Sequence, residues 1–315
     1  MNELLSPILQ YERDSDPAPR ATWRRLGGTR IDLHCHSTFS VERIRWLRGI
    51  RFRPLLEPEQ LYDLALARGM DFVTITDHDT IDGCKALRDR RGDLPDFITG
   101  EEISVAFPED GTVVHVNVYD IDERQHAELQ RLRGNIYDLV DFIRRADKLF
   151  VLNHMTWTAQ HRALKTWQIE AMLALFPVFE GINGTRSYAH NAFAVRAVRG
   201  HGKILVAGSD SHTHRVGTTY TLSTGRTAGE LIESIRAGQA APCGAFGTPE
   251  QLREDVWITM QKNVERHMAE ASSVWKRATC RLASRFGRFA YPFICLGYHT
   301  RQNLLIRKSQ RAMPA

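Results

Sequence analysis

The residues of this 315-residue chain best suited to chemistry are histidines and carboxylates set at the ends of short apolar runs. His34 and His36 flank Cys35 in the strand expected at 31–35. Alternate side chains of a strand share a face, so the two imidazoles point together and Cys35 points away. Two imidazoles on one face form a chelating pair. The same arrangement recurs down the chain. Thr76-Asp77-His78-Asp79-Thr80 follows the run 72–76, and Gly100-Glu101-Glu102 follows 97–99. His115 lies inside 113–119, Leu152-Asn153-His154 closes 149–152, and Gly208-Ser209-Asp210-Ser211-His212 follows 204–207. Taken singly, each has a plainer reading. Asp77 and Asp79 suit a turn or cap for a helix near Ile81, and Glu102 suits a surface carboxylate. Taken together, six of the thirteen histidines obey one rule. In parallel β/α architectures the C-terminal strand ends surround one mouth, so six segments deliver imidazoles and carboxylates to one place. His126, His161, His190, His201, His267 and His299 fall on helical or loop patterns and read as surface residues. His214 is close enough to His212 to contact a substrate.

The elements that must position these groups alternate. Strands are expected at 31–35, 72–76, 97–99, 113–119, 149–152, 178–182 and 204–207. Helices are expected at 58–68, opened by Pro58 and closed by Gly69, and at 124–146, 167–175, 189–199 and 228–236. Alternating β and α units imply a parallel sheet or barrel covered by helices, and seven strands favour a closed or distorted barrel. After Pro249 the pattern changes. Residues 251–285 read as one long or two shorter Arg-rich amphipathic helices. An aromatic stretch at 286–298 is broken by Pro292 and Gly297, and the basic end is expected to fray.

The ordered segments Asp32-Leu33-His34-Cys35-His36-Ser37, Thr74–Gly83, Gly100-Glu101-Glu102, Leu152-Asn153-His154 and Gly208-Ser209-Asp210-Ser211-His212 resemble the PHP (polymerase and histidinol phosphatase) superfamily. The resemblance covers roughly residues 30–247. It implies an α/β fold, a distorted (βα)7 TIM-like barrel, and a metal-dependent phosphoesterase with two or three divalent ions, zinc, manganese or iron. It implies one metal on His34, His36, Glu102 and Asp210. A second shares Glu102 and adds His115 and His154, and a third uses His78 and His212. The family often has a further acidic or His ligand after the Ser of its first motif. Here Ser40 is followed by Val41, with Glu42 as a substitute, and Met155 stands where the family often has Pro.

The chemistry that follows is hydrolysis of a phosphomonoester or phosphodiester in a small molecule or nucleotide. Two metals about 3.5–4 Å apart lower the pKa of a shared water and neutralise charge on the phosphoryl oxygens. Glu102 would bridge them, and His78 or Asp77 would act as base or orient the water. Arg186, Arg215 and His214 are candidate substrate-binding residues, Asn153 and Asn183 candidate supports for the ligands. The arginine-rich loop 42–53 is a candidate lid. Competing readings are a nuclease on single-stranded nucleic acid, metal-dependent C–N hydrolysis on a related barrel, and a catalytically silent metal-binding regulatory module.

Composition narrows these. Residues 248–315 hold 12 of the 42 basic and 5 of the 37 acidic residues, a local net of +7 that leaves −2 for the rest. A polyanion groove needs a basic track, so the body that carries the histidines does not favour nucleic acid. The organisation expected is a leader at 1–29, a barrel at 30–247 and a basic helical extension at 248–315. The extension is expected to dock on the barrel, self-associate or lie on an anionic membrane. Five scattered cysteines without a CxxC pair, no secretory pattern at the start and no apolar run of about 18 residues lead to the expectation of a cytoplasmic protein without a transmembrane segment.

Overall fold

The computed structural model describes residues 28–40, 42–43, 51–269 and 274–313. Most of the leader, Val41, the side chain of Glu42 and most of the arginine-rich loop lie outside the described residues.

The elements run β1 (Thr29–Asp32), β2 (Glu42–Arg43), β3 (Arg51–Phe52), α1 (Pro58–Ala67), β4 (Phe72–Ile75), α2 (Asp82–Arg91), β5 (Phe97–Ala106) and β6 (Val113–Tyr119). Then come α3 (Glu123–Leu132), α4 (Ile136–Arg145), β7 (Phe150–Leu152), α5 (Thr166–Leu175), β8 (Val178–Asn183), α6 (Tyr188–Val198) and β9 (Ile204–Gly208). The chain ends with β10 (Thr219–Ser223), α7 (Ala228–Arg236), β11 (Ala240–Gly244), α8 (Pro249–Ala269) and α9 (Val274–Gln310). One nine-stranded sheet has the order β11-β10-β1-β4-β5-β6-β7-β8-β9. Seven of its strands, β1 and β4 to β9, curl into a nearly closed barrel, as the alternating pattern implies. Past β9 the chain meets the chain past β1: Asp210 donates its amide to the His34 carbonyl at 2.6 Å, and His36 donates to Ser211 at 3.1 Å. The distortion is β6, which runs antiparallel to both β5 and β7, while the other neighbours within the seven are parallel.

One buried cluster draws a residue from every barrel strand: Ile31, Phe72, Ile98, Tyr119, Val151, Val178 and Val206. Phe72, Ile98 and Val178 sit at or next to strand N-termini, Tyr119 ends the reversed β6, and Leu231, Ile232 and Ile235 of α7 join them. They seal the end of the barrel away from the histidines, burying apolar area that drives closure.

Three expectations change. The pattern 124–146 is two helices. Gly134 interrupts it, and the Asn135 side chain accepts the Tyr137 amide at 3.0 Å and starts α4 afresh, a cap that competes with helix continuation. Leu129, Ile136, Leu139 and Ile143 stay buried in both halves. The stretch expected to break at Pro292 is helical to Gln310. A proline inside a helix costs about 3 kcal/mol, and here packing outweighs it: Tyr291 lies 5.0 Å from Trp257 of α8, and Cys295 is buried. The basic end does not fray. Ile306 and Ser309 are buried, and the Ser309 hydroxyl accepts the Leu164 amide at 2.9 Å.

Candidate metal centre

All eight expected ligands come to one mouth. His34 and His36 lie just past β1, His78 past β4, Glu102 within β5, His154 past β7, and Asp210 and His212 past β9. His115 arrives differently. Because β6 is antiparallel, the beginning of that strand, not its end, reaches the mouth, and His115 is its third residue. The segments past β1 and β9 approach so closely that a Cβ on Gly208 would lie 2.3 Å from that of His34. Only glycine fits there. Asp32 ties the two segments together, accepting from the amides of Ser209 and Gly217, each at 2.8 Å.

Glu102 is the hub. Its Oε1 lies 3.0 Å from His115 Nδ1, 3.1 Å from His154 Nε2 and 3.2 Å from His34 Nε2. Its Oε2 lies 2.9 Å from His78 Nδ1 and 3.3 Å from His36 Nε2. Asp210 Oδ1 lies 3.4 Å from His36 Nε2, 3.6 Å from His34 Nε2 and 3.7 Å from His212 Nδ1. The ring of His36 sits 4.3 Å from that of His212 and 4.6 Å from that of His78. Four triads have donor atoms within 4.8 Å of one another: His34/His36/Asp210, His34/Glu102/His154, His78/Glu102/His115 and His36/His78/His212. Among these triads His154 falls with His34 and His115 with His78, while Glu102 Oε1 lies against both His115 and His154.

The donor set fits divalent ions. His34 Nε2 and His36 Nε2 are buried, have carboxylate oxygens nearby, and make no hydrogen bond. Buried polar atoms are rarely left so. Mixed imidazole and carboxylate donors suit zinc, manganese or iron. The electrostatics agree. Burial opposes charge on Glu102 and Asp210, but the surrounding histidines outweigh it and hold both carboxyls well below their usual range, His34 foremost. Burial, then His212 and His78, lowers His36 to about 4, which keeps its ring neutral and able to coordinate. Backbone strain gathers here as well: His154, Asp210 and Asp79 have φ of 23°, 50° and 56°, conformations that β-carbon residues adopt at a cost and that tend to cluster at functional sites.

The remaining expected residues divide. Arg186 reaches the mouth. Its guanidinium donates to the Tyr298 hydroxyl at 2.9 Å and to Asp210 Oδ2 at 3.4 Å, and lies 5.5 Å from the Trp157 ring. Asn153 donates to Glu102 at 2.9 Å, and Asn183 to Asp210 at 3.2 Å. Arg215 is turned elsewhere. It donates to Asp255 at 2.9 Å and to Glu254 at 2.5 Å, fastening α8 to the barrel, so its charge is already matched. His214 is exposed, and its carbonyl accepts from Arg68. Asp77 is buried with both oxygens on Ser37, accepting the amide and the hydroxyl at 2.6 Å each. It shapes the turn that carries His36 rather than facing the cluster. Burial raises its pKa to about 7. One of the supposed surface histidines is buried, and another is half-buried against an acid. His190 is buried against the Thr156 hydroxyl, and His126 pairs with buried Glu101 at 2.8 Å.

Sequence reasoning missed Glu180. It is buried, its Oε1 lies 2.9 Å from His34 Nδ1, and its Oε2 accepts the His154 amide at 2.8 Å. The available signal was a lone carboxylate inside an apolar strand, which is rarely buried without a partner. Tyr298 was also missed, since only the docking of α9 brings it here.

No family model and no curated protein matches the sequence. Solved structures do match. One is a two-domain protein from Bacteroides vulgatus containing a predicted PHP-like metal-dependent phosphoesterase, with TM-score 0.51 and 18% identity over 73% of this chain and 69% of that one. Another is PsfC from Pseudomonas syringae, with TM-score 0.52 and 17% identity over 76% of this chain and 98% of that one. At such identity the likeness speaks for the fold alone, a distorted, nearly closed α/β barrel.

Proposed function

We propose that this protein is a metal-dependent hydrolase of phosphate esters, acting on a phosphomonoester or phosphodiester of a small molecule or nucleotide. The observation that carries the reading is the convergence of six imidazoles and Asp210 around Glu102. His34, His36, His78, Glu102, His115, His154, Asp210 and His212 would hold two or three divalent ions, which would activate water and neutralise phosphoryl charge. The chain's own residues do the rest. Glu180 and Asn153 orient His34 and Glu102, as partners of ligands do. Arg186, backed by Trp157 and steadied by Tyr298, offers a fixed cation to a phosphoryl oxygen. His78 keeps a 15% exposed side chain at the mouth, and with two ions bound rather than three it would be left to orient or deprotonate the attacking water. Asp77 acts through Ser37 as a positioning residue. Described Cys35, Cys84, Cys243 and Cys295 are free thiols, and we place the protein in a reducing cytoplasm.

The test is turnover of aryl phosphate mono- and diesters by the purified protein loaded with manganese or zinc. Glu102→Gln should lower the rate by at least about a hundredfold while the far-ultraviolet dichroism is unchanged. Metal-loaded protein that hydrolyses no phosphoester, and whose His34→Ala variant changes only in stability, would sink the proposal and leave a silent metal-binding module.

A further inference from the structure

The metal centre uses one side of α9 and leaves the other. At 100° per residue, Leu282, Phe289, Phe293 and Leu296 fall within about 60° of one another. They are 70%, 73%, 65% and 64% exposed. The rings of Phe289 and Phe293 lie 5.9 Å apart and form one patch at the centre of the stripe. The opposite side is the docked one. It carries Cys295, Gln302, Ile306 and Ser309, all buried, and Tyr298, which meets Arg186. Helix α9 is therefore apolar on two sides, one packed and one bare among the described residues. A contiguous bare apolar face of this kind marks an interaction surface.

Charge says what covers it. Between Val274 and Gln310 the sequence has eight Lys and Arg and no Asp or Glu. Arg281 and Arg285 run along one edge of the stripe, and Arg301 and Lys308 follow past its C-terminal end on the other side, all four exposed. A second copy of α9 would bring positive edges against positive edges. A bilayer with anionic headgroups complements both the stripe and its borders. No described helix is long and apolar enough to cross a membrane. With four of its six exposed large apolar residues on one stripe, Leu304 adjoining it and Ile294 off it, α9 has the form of a helix that lies in the interface.

We propose that α9 docks the protein on an anionic lipid surface. Leu282, Phe289, Phe293 and Leu296 enter the boundary between headgroups and acyl chains, and the flanking basic residues meet the headgroups. The docking does not depend on the reaction at the metal centre, because the stripe lies on the far side of α9 from Tyr298.

The experiment is co-sedimentation of the full-length, metal-loaded protein with vesicles of phosphatidylcholine plus phosphatidylserine, and of phosphatidylcholine alone. Partitioning onto the mixed vesicles is expected to be at least about tenfold stronger and to weaken as salt rises. Phe289→Ser/Phe293→Ser should reduce it by about tenfold or more with metal content unchanged. Leu282→Ser, a milder change on the same stripe, should reduce it in part. Absence of vesicle binding, or equal binding to both lipid mixtures, overturns the proposal. So does a concentration-dependent dimer in sedimentation that the double variant abolishes without any vesicle binding, because the face then belongs to a second copy.

Discussion

At the residue scale the candidate site is a set of imidazole and carboxylate atoms and the groups that aim them. The residues that converge were legible, because His, Asp and Glu at the ends of apolar runs share a pattern that accident would not repeat. Their partners were less legible. Arg186 and Arg215 look alike in sequence, both loop arginines beyond a strand. Only the fold turns one toward Asp210 and the other toward Glu254 and Asp255. Glu180 carries the clearest prediction here. Its hydrogen bond with Nδ1 of His34 leaves Nε2 facing the cluster. Glu180→Gln keeps the shape but loses the charge, and metal affinity should fall by about 10–100-fold. Competition titration against a chelating dye reads this directly, and unchanged affinity would assign Glu180 a packing role only. Activity at saturating metal should recover more fully in Glu180→Gln than in Glu102→Gln, since Glu102 is a candidate ligand itself.

At the element scale two contacts place the parts that carry the site. The first is helix α3 on β5. His126 donates to Glu101, the buried neighbour of Glu102, and this hydrogen bond raises the imidazole pKa against the opposing effect of burial. With a folded pKa above the unfolded value of about 6.5, the pair contributes fully below that pH and its contribution is lost as pH rises through the folded pKa. His126→Gln should therefore be less stable than the parent by about 2 kcal/mol near pH 6, with the gap narrowing toward pH 9. Urea denaturation of both proteins across that range checks it, and a gap independent of pH would refute the charge pairing. The second contact is α9 on the mouth. Tyr298→Phe removes the hydroxyl that receives Arg186. If the proposed role of Arg186 is right, KM for an aryl phosphate should rise about three- to tenfold with a smaller change in kcat, because substrate is gripped less firmly before reaction. Neither contact could be read in advance. His126 lies on a helical pattern that gives no hint of a buried acid across from it, and Tyr298 lies beyond a proline that local rules treat as a helix end.

At the scale of the whole molecule the barrel was legible because its rule is simple: short apolar strands alternate with helices, and chemistry follows each strand. What was not legible breaks that rule for tertiary reasons. Strand β6 reverses direction, so His115 reaches the mouth from the strand's beginning. Strands β10 and β11 extend the sheet with Thr-Tyr-Thr-Leu-Ser and Ala-Ala-Pro-Cys-Gly, sequences too polar or too small to stand out. The same closure gives the last prediction. The candidate ligands come from both sides of the seam where the segments past β1 and β9 meet, with His34 and His36 on one and Asp210 and His212 on the other. Ions bound there would tie the seam shut and would bind the folded chain far better than the unfolded one. Free metal at a thousandfold excess over its dissociation constant stabilises the fold by about 4 kcal/mol, about 6 °C in a chain of this size. Chelation should lower the melting temperature by about that amount, and restoring manganese or zinc should recover it. His36→Ala, which removes one side of the seam, should lose most of the metal-dependent part while its chelated form melts close to the chelated parent. Calorimetry with and without chelator decides the matter, and a melting temperature indifferent to metal in the parent would mean that the cluster does not hold the barrel closed through bound ions.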